Sequence, residues 1–136
     1  MTTATRTDAS LLAELADKIR AATATLEAMR DRVRRELDRG AYLDTSINGD
    51  LMFAEGVHFF YRDLGIAEDG TMRRHDGEED VDLVKDARRK RARVSERLVR
   101  RKEEPYPGLA GMRQHYQREG AKRFLEETAF LGEKTN

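Results

Sequence analysis

The side chains best suited to chemistry in this chain are few. Its only histidines are His58, His75 and His115, and Glu55 precedes the first by three residues. Glu-x-x-His is the spacing with which ferritin-like bundles present a carboxylate and an imidazole to a di-iron centre. A second copy would complete such a site, and none follows: Met112 occupies the position three before His115, and the nearby acid, Glu119, lies after it. A helical projection also sets Glu55, His58 and Arg62 opposite Phe53, Val57, Phe60 and Leu64. The expected role of these three is therefore an exposed ladder, worth a few tenths of a kcal/mol per pair. Glu55, His58 and His115 are the residues that a metal centre or a small helical enzyme would have to use, but the sequence leads to the expectation that no metal or cofactor is held. His75, within Arg73-Arg74-His75-Asp76, reads as solvated.

Other chemistries are excluded more directly. The 136 residues include no cysteine, which removes disulfides, thiol nucleophiles and cysteine-ligated zinc or iron–sulfur sites. No nucleophile elbow or phosphate loop accompanies the histidines.

The strongest signal is electrostatic. In KDARRKRARVSERLVRRK, residues 85–102, ten side chains are basic and only Asp86 and Glu96 are acidic. Because the whole chain has 26 basic and 26 acidic residues, this +8 is balanced by −8 elsewhere, and the neutral total conceals a separation of charge. Arg88, Arg89, Arg93, Arg97, Arg100 and Arg101 would form a surface whose planar guanidinium forks suit phosphate oxygens. The competing expectation is a structural one: the arginines are neutralised inside the fold by Asp76, Glu78, Glu79, Asp80 and Asp82 and by acids of the first helix. The stretch lacks the pattern of a leucine-zipper basic region, and no seam of leucines follows it.

Helices must carry these groups. Leu12, Leu15, Ile19, Ala22, Leu26, Met29, Val33 and Leu37 alternate spacings of three and four over more than three heptads, which predicts one helix near 9–39, about 45 Å long. Asp8 or Ser10 can cap its start, and Gly40 can supply the left-handed residue after its end. A seam this long serves either an antiparallel neighbour or a second chain. Leu12, Leu15, Ile19, Leu26, Met29 and Val33 are thus the expected interface of a homo-oligomer. A second, apolar helix is predicted at about 47–64, where Gly56 would allow close helix approach.

Residues 65–77 contain three glycines and no periodicity, which reads as an exposed loop. The acids at 76–82 then complement the positive end of a third helix, with Val84, Ala87, Arg91, Val94 and Leu98 as its seam, until Glu103, Glu104 and the Pro105-Tyr106-Pro107-Gly108 break end it. A fourth helix, about 109–131, presents Leu109, Met112, Tyr116, Gly120, Phe124 and Leu131.

Charged residues make up 38% of the chain and apolar residues another 38%, a balance suited to amphipathic helices with narrow buried stripes. The expected architecture is all-α: a single domain over 9–131, with a disordered start at 1–8 and a frayed tail at 132–136. Its four helices form an irregular or extended bundle built on a coiled-coil-like pairing of the first and third. No secretion signal or apolar run of about 18–20 residues is present, so a cytoplasmic protein with no membrane partner is expected. The expected function is a small non-enzymatic adaptor or regulator that oligomerises and docks an acidic protein surface or nucleic acid through its basic helix. The alternative is a ferritin-like metal-binding protein or small helical enzyme.

Overall fold

The computed structural model describes residues 6–40, 45–100 and 108–132. The described helices are α1 (Asp8–Asp38), α2 (Thr45–Asp63), α3 (Asp80–Arg100), α4 (Gly108–Glu127) and the single turn α5 (Ala129–Gly132). No β-strand is present among the described residues, and no described helix is long and apolar enough to cross a membrane. The fold is all-α, with a long N-terminal helix, as the periodicity predicts. The disorder expected at 1–8 and the fraying expected at 132–136 fall outside the described residues at 1–5 and 133–136; where the chain is described, Thr7 caps α1, Asp8 opens it and Gly132 closes α5.

The start of α1 is set by Thr7, rather than by Asp8 or Ser10. Thr7 has extended backbone angles and its Oγ1 accepts a hydrogen bond from the Ser10 N–H at 3.1 Å, satisfying one of the donors left open in the first turn. The helix ends as its glycine suggests: Gly40 has φ +71°, and its N–H donates to the Leu37 carbonyl at 2.9 Å.

The helix pairing differs from the sequence expectation. The most extensive packing is α2 against α4 and then α2 against α1, while α1 and α3 touch over a smaller area. Two glycines meet at the first contact. A Cβ on Gly120 would lie 3.0 Å from the Val57 nitrogen and 3.1 Å from the Gly56 carbonyl carbon. The two backbones can therefore approach this closely because Gly120 carries no side chain, whereas a Cβ on Gly56 would make ordinary contact 3.4 Å from Gln117 Cα. Arg91, expected in the α1–α3 seam, instead turns to Leu125 and Thr128 at the end of α4.

The best-buried core draws on the first half of α1 (Leu11, Leu12, Leu15 and Ile19), Tyr61 of α2 and Leu64 just after it, the start of α3 (Val84, Ala87), the end of α4 (Phe124) and Leu131 of α5. Tyr61 and Phe124 meet edge to face with centroids 5.1 Å apart, a favoured aromatic geometry. Further along α1 burial declines: Leu26 is buried, Met29 and Val33 are half-buried, and Leu37 is 56% exposed.

Two connections depart from expectation. The segment after α2 is folded back rather than exposed throughout. Ile66 is buried and bridges to Met72, the Ala67 N–H donates to Thr71 O at 2.8 Å, and Gly70 turns the chain at φ +87°. Arg20 of α1 holds this hairpin by donating from Nε to the Asp69 carbonyl at 3.0 Å. Glu68, Asp69 and Thr71 at the hairpin's tip are exposed, and so is the continuous stretch from Arg73 to Gly77.

The predicted fourth helix is likewise divided at Thr128. The Thr128 hydroxyl donates to the Phe124 carbonyl at 2.6 Å, alongside its own N–H at 3.0 Å. Back-bonding of this kind bends helices, and α5 follows as a separate turn.

Candidate functional site

Helix α3 sorts its bases by the direction in which they point. Val84, Ala87 and Val94 are buried in the core, and the positions nearest to them carry arginines that turn inward. Arg91 donates from Nη2 to the Leu125 carbonyl at 2.8 Å and from Nε to Thr128 Oγ1 at 3.1 Å. Arg88 donates from Nε to the Leu131 carbonyl at 2.8 Å. Both therefore cap carbonyls at the C-terminal ends of α4 and α5, which have no intrahelical partner and carry the negative end of the helix dipole. Arg88 was expected to contact phosphate; in the fold its Nε is committed to the Leu131 carbonyl.

The outer face is different. Lys85, Arg89, Arg93 and Arg97 are exposed and follow one another at intervals of four residues, or about 6 Å along the axis. Arg89 pairs with Asp86, which also accepts Lys90 Nζ at 3.0 Å. Burial raises the Asp86 carboxyl's pKa, but the Lys90 and Arg89 contacts outweigh it and hold that pKa below its usual value. Arg93 and Arg97 form no ion pair among the described residues. The Arg100 side chain and Arg101 lie outside what is described.

Three of the five acids at 76–82 expected to neutralise this helix are engaged elsewhere. Asp80 pairs with Arg74, Glu78 Oε1 accepts the His75 N–H at 2.8 Å, and Asp82 Oδ2 accepts the Glu79 N–H at 2.9 Å. The acidic cluster thus closes the start of α3 on itself. Among the described residues it does not reach Arg93 or Arg97.

The histidines differ in their surroundings. Glu55 and His115 are exposed, with the His115 ring edge-on to Tyr116, whereas His58 is 5% exposed. The expected surface ladder is therefore corrected. A projection with one buried face fails because α2 packs against both α4 and α1: Gly56, Phe60 and Tyr61 meet α4, and Ala54 and His58 widen the buried arc. His58 Nε2 lies 3.4 Å from Glu68 Oε1 of the hairpin, without hydrogen-bond geometry. Burial lowers its pKa. Glu68 opposes this, Arg62 and Arg30 add to it, and Glu27 opposes it. Among the described residues no three His, Asp or Glu side chains are grouped so as to hold a metal ion.

The aliphatic residues expected at an oligomer interface are also placed. Leu12, Leu15, Ile19 and Leu26 are covered by the chain's own helices, so a partner cannot reach them without opening the fold. Met29, Val33 and Leu37 remain at least partly accessible.

The sequence reading missed Glu68 and the hairpin that carries it. The signal was present as Asp69-Gly70 between Ile66 and Met72, a dipeptide that favours tight hairpin turns. No comparable signal marks Arg88 and Arg91 as caps. No protein-family model, curated protein or solved structure matches the chain, so the function must be argued from its own residues.

Proposed function

We propose that this chain is a non-enzymatic docking protein of the adaptor or regulatory kind, which presents the outer face of α3 to an acidic partner. The observation that carries this reading is the exposure of Arg93 and Arg97 without an ion pair among the described residues, on a helix where Arg88 and Arg91 cap carbonyls and Arg89 pairs with Asp86. Arginines needed only for stability have partners in the fold, as Arg88 and Arg91 do. An exposed row of like charge disfavours itself by repulsion and is relieved by a polyanion.

The test compares two double variants on a sulfated-polysaccharide column. Arg93→Gln/Arg97→Gln should elute at clearly lower salt than the parent with an unchanged circular dichroism spectrum. Arg88→Gln/Arg91→Gln should lower the melting temperature. No retention of the parent at low salt would sink the proposal.

Self-association is a further part of the proposal, now confined to the distal half of α1. Met29, Val33 and Leu37 form a stripe that the chain's own helices leave partly uncovered. Light scattering at micromolar concentration should give the mass of a dimer or larger assembly, reduced to that of one chain in Val33→Glu/Leu37→Glu. A parent mass of one chain rejects it.

A further inference from the structure

We infer that the acidic partner of α3 is the phosphate backbone of a nucleic acid duplex, bound without base readout; the inference rests on the docking proposal and specifies its ligand. Three observations on the outer face of α3 separate this partner from other acidic ones.

The first is the lack of an apolar anchor. Protein interfaces draw most of their affinity from large side chains buried at their centre. Between Lys85 and Arg97 the outward uncharged residues are the small Ala92 and Ser95. The exposed valines, Val81 and Val99, stand at opposite ends of the helix. This face can offer an acidic protein charge, but no centre around which water would be excluded.

The second is the lack of a stacking platform. Proteins that bind single strands stack bases on aromatic rings set in a basic groove. No aromatic residue occurs in α3, and the exposed Phe59 belongs to α2. Neither Asn nor Gln, the usual readers of adenine, occurs in α3 either. What remains is contact with phosphate oxygens, which is strong in charge and poor in sequence information.

The third is geometry. A step of four residues rises about 6 Å and turns about 40° beyond a full circle, so Lys85 to Arg97 spans about 18 Å along roughly a third of the helix circumference. Such a row can lie along a backbone while the opposite side of α3 stays packed in the bundle. The acids confine the contact to this stretch. Asp80 and Asp82 sit before it, Asp86 holds Arg89, and Glu96 is the one outward acid within the row. Lys85, Arg93 and Arg97 are thus the phosphate contacts.

Three contacts predict that the logarithm of affinity falls against the logarithm of salt with a slope of about −2.7 on duplex DNA. Fluorescence anisotropy of the full chain would measure this on labelled DNA of about twenty base pairs, on a shuffled duplex, on the single strand and on polyglutamate. The expected result is equal affinity for the two duplexes, weaker binding of the single strand and polyglutamate, and a slope reduced to about −0.9 in Arg93→Gln/Arg97→Gln.

Tighter binding of polyglutamate than of duplex would overturn the nucleic acid inference and leave the docking proposal standing. Preference for the single strand, or a tenfold difference between the two duplexes, would overturn the backbone-only duplex mode. Binding to none of the four probes would remove both the inference and the proposal beneath it.

Discussion

Arg91 and Arg93 are two residues apart on one helix and share the same side chain, yet their surroundings give them different work. Arg91 is half-buried and donates to the Leu125 carbonyl and to Thr128 Oγ1; Arg93 is exposed and unpaired among the described residues. The same contrast separates Arg88 from Arg97. Because two residues is about half a helical turn, a run of arginines necessarily alternates between facing the bundle and facing water. The bases counted in such a run are therefore not one surface, and only the outward subset can meet a partner. The inward subset is a set of helix caps.

The largest test of this contrast is Arg91→Ala. Hydrogen bonds to a charged donor are worth about 1.5–3 kcal/mol each, and the substitution removes two. A loss of about 3–6 kcal/mol is expected in chemical denaturation, with binding to a sulfated polymer little changed in the folded protein. A change below about 0.5 kcal/mol would show that the caps are not structural. Arg88→Ala removes one such bond and should cost about 1.5–3 kcal/mol by the same measurement. Arg93→Ala and Arg97→Ala, at the other extreme, should each stay within about 0.5 kcal/mol of the parent; a larger loss would place them in the fold and weaken the docking proposal.

A subtler version of the comparison concerns His58, buried against the hairpin, and the exposed His75 and His115. The folded-state pKa of His58 is lowered, chiefly by burial. Below its unfolded value near 6.5 the unfolded chain therefore binds a proton that the native chain refuses. The stabilisation is complete above that pH and diminishes as pH falls through it towards the folded value. Stability measured from pH 8 downward should decline below about 6.5, and His58→Gln should flatten that decline. Slopes that coincide in parent and variant would show that this imidazole is not the group responsible.

Much of the architecture was legible in periodicity. The heptad spacing of α1 is a local property of an amphipathic helix, and so are the glycine that ends it and the acids that open α3. These features require only that one face meet something apolar, without specifying what. The pairing of α2 with α4 was not legible in the same way. It depends on Gly56 and Gly120, 64 positions apart, meeting in space, and only Gly56 could be singled out beforehand as a place for close approach. His58 was misplaced for a related reason: a projection supposes one buried face, and α2 has neighbours on two sides.

By itself, then, the sequence determined that the chain is helical, that α1 is long, and that positive charge concentrates in 85–102. Each of these follows from residue type and short-range spacing, which act within a few turns of a helix. Only the tertiary structure decided which arginines are caps and which face water, that the four aliphatic residues in the first two-thirds of the α1 seam are internal, and that His58 lies beneath a hairpin. Those outcomes turn on which surfaces meet across distant parts of the chain. Burial and the satisfaction of helix-end carbonyls are settled only at that contact.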